Sequence, residues 1–161
     1  MGPSSPYQRP GKKQPFTLSF IHKALTTGTP QFAGGLLLIA PVVAWLGRYF
    51  MGLQLLTPSW GAAAWAFALA PLLEEYVFRS LLQCGLQQRL PATWRAGHLA
   101  NLLTAGVFVA AHYPAHGWRA AAWLVPALAL GELWRRTGKL WPSVLMHSWF
   151  NLSLAGMGRF I

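Results

Sequence analysis

The sequence predicts an all-α fold, a polytopic membrane helix bundle of about five transmembrane helices. Three observations lead there. Of the 161 residues, 54% are hydrophobic and only 10% are charged, against roughly 25% charged in an ordinary soluble domain. Nine Trp, nine Phe and four Tyr add a large aromatic load, and the mean hydropathy is +0.36. Finally, Lys, Arg, Asp and Glu are absent from 24–47, 49–73, 96–118, 120–131 and 140–158. A soluble domain cannot cover itself with so little polar surface, and a disordered chain would not be this apolar.

The first fifteen residues hold Pro3, Pro6, Pro10 and Pro15 among basic residues. They read as a flexible tail, and 16–23 leaves room for a short interfacial helix. Residues 1–23 are thus set apart from a transmembrane domain at 24–161. Within it, helices are expected near 32–51, 59–88, 98–113, 119–135 and 140–158, punctuated by Gly28-Thr-Pro30, Thr57-Pro58, Pro91, Pro114 and Gly138. The second exceeds the ~20 residues a bilayer needs, so its Gln83–Arg89 end is expected to emerge at the interface. Pro114 and Gly117 place His116 in a solvated loop.

The formal charge of +10 does not point to nucleic acid, because the basic residues lie between apolar segments. With five helices, nine of them (Arg9, Lys12, Lys13, Lys23, Arg89, Arg95, Arg135, Arg136, Lys139) fall on one side. Arg48, Arg119 and Arg159 fall on the other. This bias puts the N-terminus in the cytoplasm. The single Cys84 permits no internal disulfide.

Ionisable residues at membrane depth cost at least ~2.5 kcal/mol each when charged, and they mark function or mutual pairing. The chain has no Asp, and its three acids are Glu74, Glu75 and Glu132. Glu75 and Arg79 are i,i+4 neighbours and can neutralise each other. Glu74 points about 100° away without that partner, as a general base would. A second cluster runs from Phe108 to His112. A third, His147 and Asn151, shares one face of the last helix. Each cluster taken alone has a packing explanation. Together they supply a base, two imidazoles, an amide donor and a supporting ion pair, the means to activate water and hold an oxyanion. No His-Glu-x-x-His or Gly-x-Ser-x-Gly pattern competes. Counted along straight helices at 1.5 Å per residue, His147 and Glu74 lie roughly 10 Å from the cytoplasmic side and His112 lies deeper. The three do not share a level on that count.

Glu-Glu-x-x-x-Arg, Phe-x-x-x-His and His-x-x-x-Asn on successive helices, with the Arg136-Thr-Gly138 turn before the last, resemble the CPBP intramembrane glutamic proteases. That family includes type II CAAX prenyl endopeptidases and bacterial relatives tied to bacteriocin processing and self-immunity. The resemblance covers roughly 60–155. It implies that Glu74 and His112 activate water, that His147 and Asn151 form the oxyanion hole, that Glu75 and Arg79 form the supporting pair, and that Phe108 walls the site. It also implies a metal-free mechanism acting on a membrane-associated peptide or protein, in contact with lipid. Ser80 stands where many members carry Gly, and the helices are fewer than in the eukaryotic enzymes, which favours a bacterial inner-membrane protein over a prenyl-specific one. Two His and one Glu are also a legitimate zinc set, so a divalent metal at Glu74, His112 and His147 is the alternative. A non-catalytic immunity or scaffold protein is the second alternative, and a small transporter the third.

Overall fold

The computed structural model describes residues 28–53, 59–90 and 94–156. Among them the chain is all-α, with no strand. The expected tail and interfacial segment, and the Thr57-Pro58 and Pro91 turns, lie outside the described residues. Helix α1 spans Thr29–Met51. Helix α2 runs without interruption through Trp60–Ala64, Trp65–Leu69, Ala70–Glu75, Tyr76–Gln83 and Cys84–Arg89, the second and fourth of these being π-helical. Helix α3 spans Trp94–His116. A 3₁₀ segment, Gly117–Trp123, leads into α4, Leu124–Thr137. Helix α5 spans Leu140–Gly156.

These elements agree with the expected five to within a few residues, and the differences have physical causes. Helix α3 continues through Pro114, which removes a single ladder bond; it stops at Gly117, whose φ of 57° permits the reversal. His116 is therefore helical, and its ring lies 4.7 Å from that of Trp123. Gln83, expected where the helix reaches the interface, closes the π-helical stretch Tyr76–Gln83 and is fully buried between helices. In an α-helix each i,i+4 step drifts by about 40°. Hydrogen bonds through Arg79 nevertheless join the three side chains into one spine.

Helix α1 is long and apolar enough to cross a membrane. Much of its apolar surface faces outward, with Leu38 81% exposed, as lipid contact requires. Its inner face joins Leu36 and Ala40 to Leu130 and Leu133 of α4 and Met146 and Phe150 of α5.

Two helix contacts trace to prolines. Pro41 offers no N–H to Leu37 four residues back, and the indole Nε1 of Trp149 donates to the Leu37 carbonyl instead (3.0 Å). In the π register, Ala70 N–H reaches Trp65 O, so the next position, Pro71, leaves the Ala66 carbonyl without its donor. Asn151 Nδ2 fills it at 2.8 Å. Helix α5 is thereby tied to both α1 and α2 through carbonyls their own ladders leave free.

Helix α5 also starts at depth. Ser143, in its first turn, donates to Leu130 O, two turns before the end of α4 (3.2 Å). With this offset, His147 on α5 meets Glu75 on α2. Helix α4 supplies the close approach. A Cβ on Gly131 would overlap Asn101 Oδ1 and stand 2.9 Å from Arg79 Nη1. Gly131→Ala should therefore destabilise by about 1–3 kcal/mol through overpacking. Gly106→Ala, where a Cβ meets nothing within 4 Å, should be neutral or mildly stabilising. Thermal melts of both variants in one detergent check this; equal melting temperatures would refute the close approach.

Candidate active site

Burying Glu75, Arg79 and Gln83 at 0% exposure is tolerable only if nearly every polar atom is matched. Arg79 Nε donates to Glu75 Oε2 (2.9 Å), Nη1 to Gln83 Oε1 (3.2 Å) and Nη2 to Ala127 O (2.9 Å). Gln83 Nε2 donates to Gly131 O (3.1 Å). The other oxygen of Glu75 accepts from His147 Nδ1 at 2.9 Å. One carboxylate therefore joins the guanidinium on its own helix to an imidazole on α5.

That bond dictates the orientation of His147. With Nδ1 committed to Glu75, Nε2 is the nitrogen left for chemistry, and it lies 3.7 Å from Glu74 Oε2. This is beyond hydrogen-bond length and leaves the two groups in electrostatic contact. The Glu74 side chain keeps 29% exposure, while Glu75 has none. The two adjacent glutamates thus differ sharply: one is fixed on two sides and the other keeps partial exposure. His112 lies within electrostatic range of Glu74, as do His147 and Glu75.

On α3, His112 Nδ1 donates to the Phe108 carbonyl one turn back (2.8 Å), which leaves its Nε2 free. The imidazole stacks on the Phe108 ring with centroids 4.3 Å apart, and Trp123 stacks at 5.8 Å. The Phe108 ring also meets His147 edge-on at 6.2 Å. Phe108 is thus the apolar wall between the two imidazoles. Asn151 lies one turn beyond His147. Its Oδ1 and one amide hydrogen remain after the bond to Ala66.

His147, Asn151 and Phe108 form one wall of a small cleft, otherwise apolar and bounded by Val43, Gly47 and Leu53 from the α1 side and by Trp123. The cleft lies toward the end of the bundle where α1 finishes and α2 begins. The basic residues of the other end are partly neutralised there: Arg135 and Arg136 both contact Glu132, at 2.7 Å and 2.6 Å.

The residues singled out from sequence therefore come together from α2, α3 and α5. One detail differs from the expected pairing: Glu75 serves His147 as well as Arg79. Asn101, Ser143 and Gln83 escaped the sequence reading. Asn101 Nδ2 donates to Leu128 O (2.9 Å), so α4 receives side-chain donors at Ala127, Leu128, Leu130 and Gly131. The signal for Gln83 was present, since it extends Glu75 and Arg79 by one more i,i+4 step. Asn101 and Ser143 carried no spacing signal. Among the described residues, no group of three His, Cys, Asp or Glu is arranged to hold a metal ion, and the Nδ1 atoms of His112 and His147 are already engaged.

A family model described as type II CAAX prenyl endopeptidase Rce1-like matches residues 56–153. No curated protein and no solved structure matches the chain. The matched span takes in every helix that contributes to the polar spine and the imidazole pair, and it exceeds half of the sequence. The chain belongs to the type II CAAX prenyl endopeptidase Rce1-like family, a family of membrane-embedded peptidases.

Proposed function

We propose that this protein is a multi-pass intramembrane endopeptidase of a bacterial inner membrane, with its N-terminus in the cytoplasm. It hydrolyses a peptide bond of a membrane-associated or C-terminally sorted substrate by attack of a Glu74-activated water. The observation that carries this reading is the hold of Glu75 on His147 Nδ1 (2.9 Å), which presents Nε2 toward Glu74 at 3.7 Å.

Glu74, assisted by His112 Nε2, takes a proton from water as the oxygen adds to the scissile carbonyl carbon. The carbonyl oxygen becomes an oxyanion, held by the remaining N–H of Asn151 and by His147 Nε2–H. With that proton in place, two carboxylates balance one guanidinium and one imidazolium. The C–N bond then breaks, and the proton taken from water passes to the leaving amine. Lipid surrounds the bundle, the partner is a peptide, and nucleic acid has no part. The metal alternative across Glu74, His112 and His147 makes a different prediction, since chelation would then abolish turnover. We expect activity to persist in chelator with no stoichiometric metal by elemental analysis.

Glu74→Gln keeps shape and removes the base, so cleavage should fall by ~10²–10⁴-fold with the melting temperature unchanged. Retention of more than about a tenth of the wild-type rate would remove Glu74 from the mechanism. Glu75→Gln should lose activity and fold together. It strands Arg79 at depth, a loss of about 3–5 kcal/mol for a broken buried pair, and it frees the His147 ring.

The bond from Asn151 to Ala66 favours a second reading, a non-catalytic immunity or scaffold protein of the same family in which Asn151 only ties helices. Turnover itself separates the two, since a non-catalytic protein shows none, and a double variant then tests whether Asn151 does more than tie helices. Asn151→Ala should lower kcat by on the order of 10²–10³ with KM little changed if the amide serves the oxyanion. Pro71→Ala restores an N–H for the Ala66 carbonyl, so the double variant Pro71→Ala/Asn151→Ala should regain thermal stability without regaining turnover. Recovery of turnover along with stability would assign Asn151 to packing alone.

A further inference from the structure

Thr137, Ser148 and Ser153 each donate to the carbonyl four residues back in their own helix, at 2.9, 3.0 and 2.8 Å. That carbonyl is the usual resort of a helical hydroxyl with no other partner. Thr104, on α3, does not use it. Its Oγ1 is buried and finds no hydrogen-bond partner among the described residues. Asn101 Oδ1, one turn earlier on the same helix, is in the same condition. Turning the amide around gives no relief, because Nδ2 already donates to Leu128 O (2.9 Å), and a carbonyl needs a donor there. Two orphaned oxygens thus sit at i and i+3, where side chains are neighbours with Cβ atoms about 5–6 Å apart. Their residues are 5% and 0% exposed, so bulk solvent does not serve them.

A third group meets them. A Cβ on Gly131 would overlap Asn101 Oδ1 and stand 2.9 Å from Arg79 Nη1, so the amide oxygen and the guanidinium converge on one point beside Gly131. They share no hydrogen bond there. Arg79 has hydrogens to spare: Nη1 gives one to Gln83 and Nη2 one to Ala127 O, and each nitrogen carries a second. Buried acceptors without donors, beside a donor with hydrogens left over, are costly as separate groups. Asn101 Oδ1 can only accept, Arg79 can only donate, and the Thr104 hydroxyl does either. An occupant that reconciles them must therefore both donate and accept. A cation is repelled by the guanidinium and an anion by the amide oxygen. We propose that one internal water is bonded to Asn101 Oδ1, Thr104 Oγ1 and Arg79 Nη1, and that through it α3 holds Arg79 in place behind Glu75. Internal waters of this kind make about three hydrogen bonds to groups otherwise unmatched. Asn101 and Thr104 are then positioning residues for the bond between Glu75 and His147. The assignment does not rest on the hydrolytic reading.

The test uses full-length protein in nanodiscs, and none of its readouts needs turnover. An experimental structure at a resolution that shows ordered water should hold a peak within hydrogen-bond distance of all three atoms. No peak there, with Asn101 Oδ1 bonded directly to Arg79 or Thr104 Oγ1 turned onto the Ala100 carbonyl, overturns the assignment. Thr104→Val tests it by sign, since the change keeps the shape and removes the hydroxyl. Deleting a hydroxyl that is merely orphaned leaves the melting temperature unchanged or raises it. Deleting one that holds the water strands the other two partners, so the melting temperature should fall by about 2–4 °C, with Thr104→Ser close to wild type. An unchanged or raised melting temperature in Thr104→Val overturns the proposal. The hold on Arg79 is read from the proton on His147 Nδ1, followed by magnetic resonance on isotope-labelled histidine. Its exchange with solvent should quicken several-fold in Thr104→Val and return to the wild-type rate in Thr104→Ser. Equal exchange in all three proteins overturns the positioning role.

Discussion

The Glu75 carboxylate is the interaction on which the rest depends. It is wholly buried and shared between Arg79 on its own helix and His147 on α5. A lone carboxylate in that position would be too costly to keep ionised. The remedy extends in both directions. Arg79 needs further acceptors, which are Gln83 and the carbonyl of Ala127; Gln83 in turn reaches Gly131. Satisfying one acid at depth thus fixes the register of α2 against α4 and the angle of an imidazole on α5. The π-helical stretch after Glu75 carries Arg79 and Gln83, the next two members of this chain of partners.

Carbonyls that the helices themselves leave free provide the second layer of organisation. Pro41 and Pro71 each delete a ladder donor, and Trp149 and Asn151 of α5 supply replacements. In a soluble protein, water would serve these carbonyls. In a lipid setting the donor must come from another helix, so each proline specifies a partner as well as a bend. Helix α5 carries His147 between those two anchors, which explains how a 17-residue helix holds that side chain in place.

The two adjacent glutamates show how neighbouring residues acquire opposite roles. Glu75 is held by Arg79 and by His147. Glu74, one position earlier, keeps some exposure and meets His147 only at 3.7 Å. Fixed charge beside free charge is the arrangement that allows a base to be selected by surroundings alone. The 3₁₀ segment completes the surroundings by stacking Trp123 on His112.

The sequence by itself determined the all-α class, the approximate helix limits, and the i,i+4 pairs that share a face. Hydrophobic runs and spacing along one helix are local properties, and so Glu75 with Arg79 was legible, as was the separate direction of Glu74. Only the tertiary structure decided that Glu75 also holds His147, that α5 begins at the depth of Leu130, and that Asn151 answers an orphaned carbonyl at Ala66. Those facts join residues 72, 13 and 85 positions apart. Their physical cause is the need to pair every buried polar group across helices, and no spacing within one helix encodes which partner will be within reach.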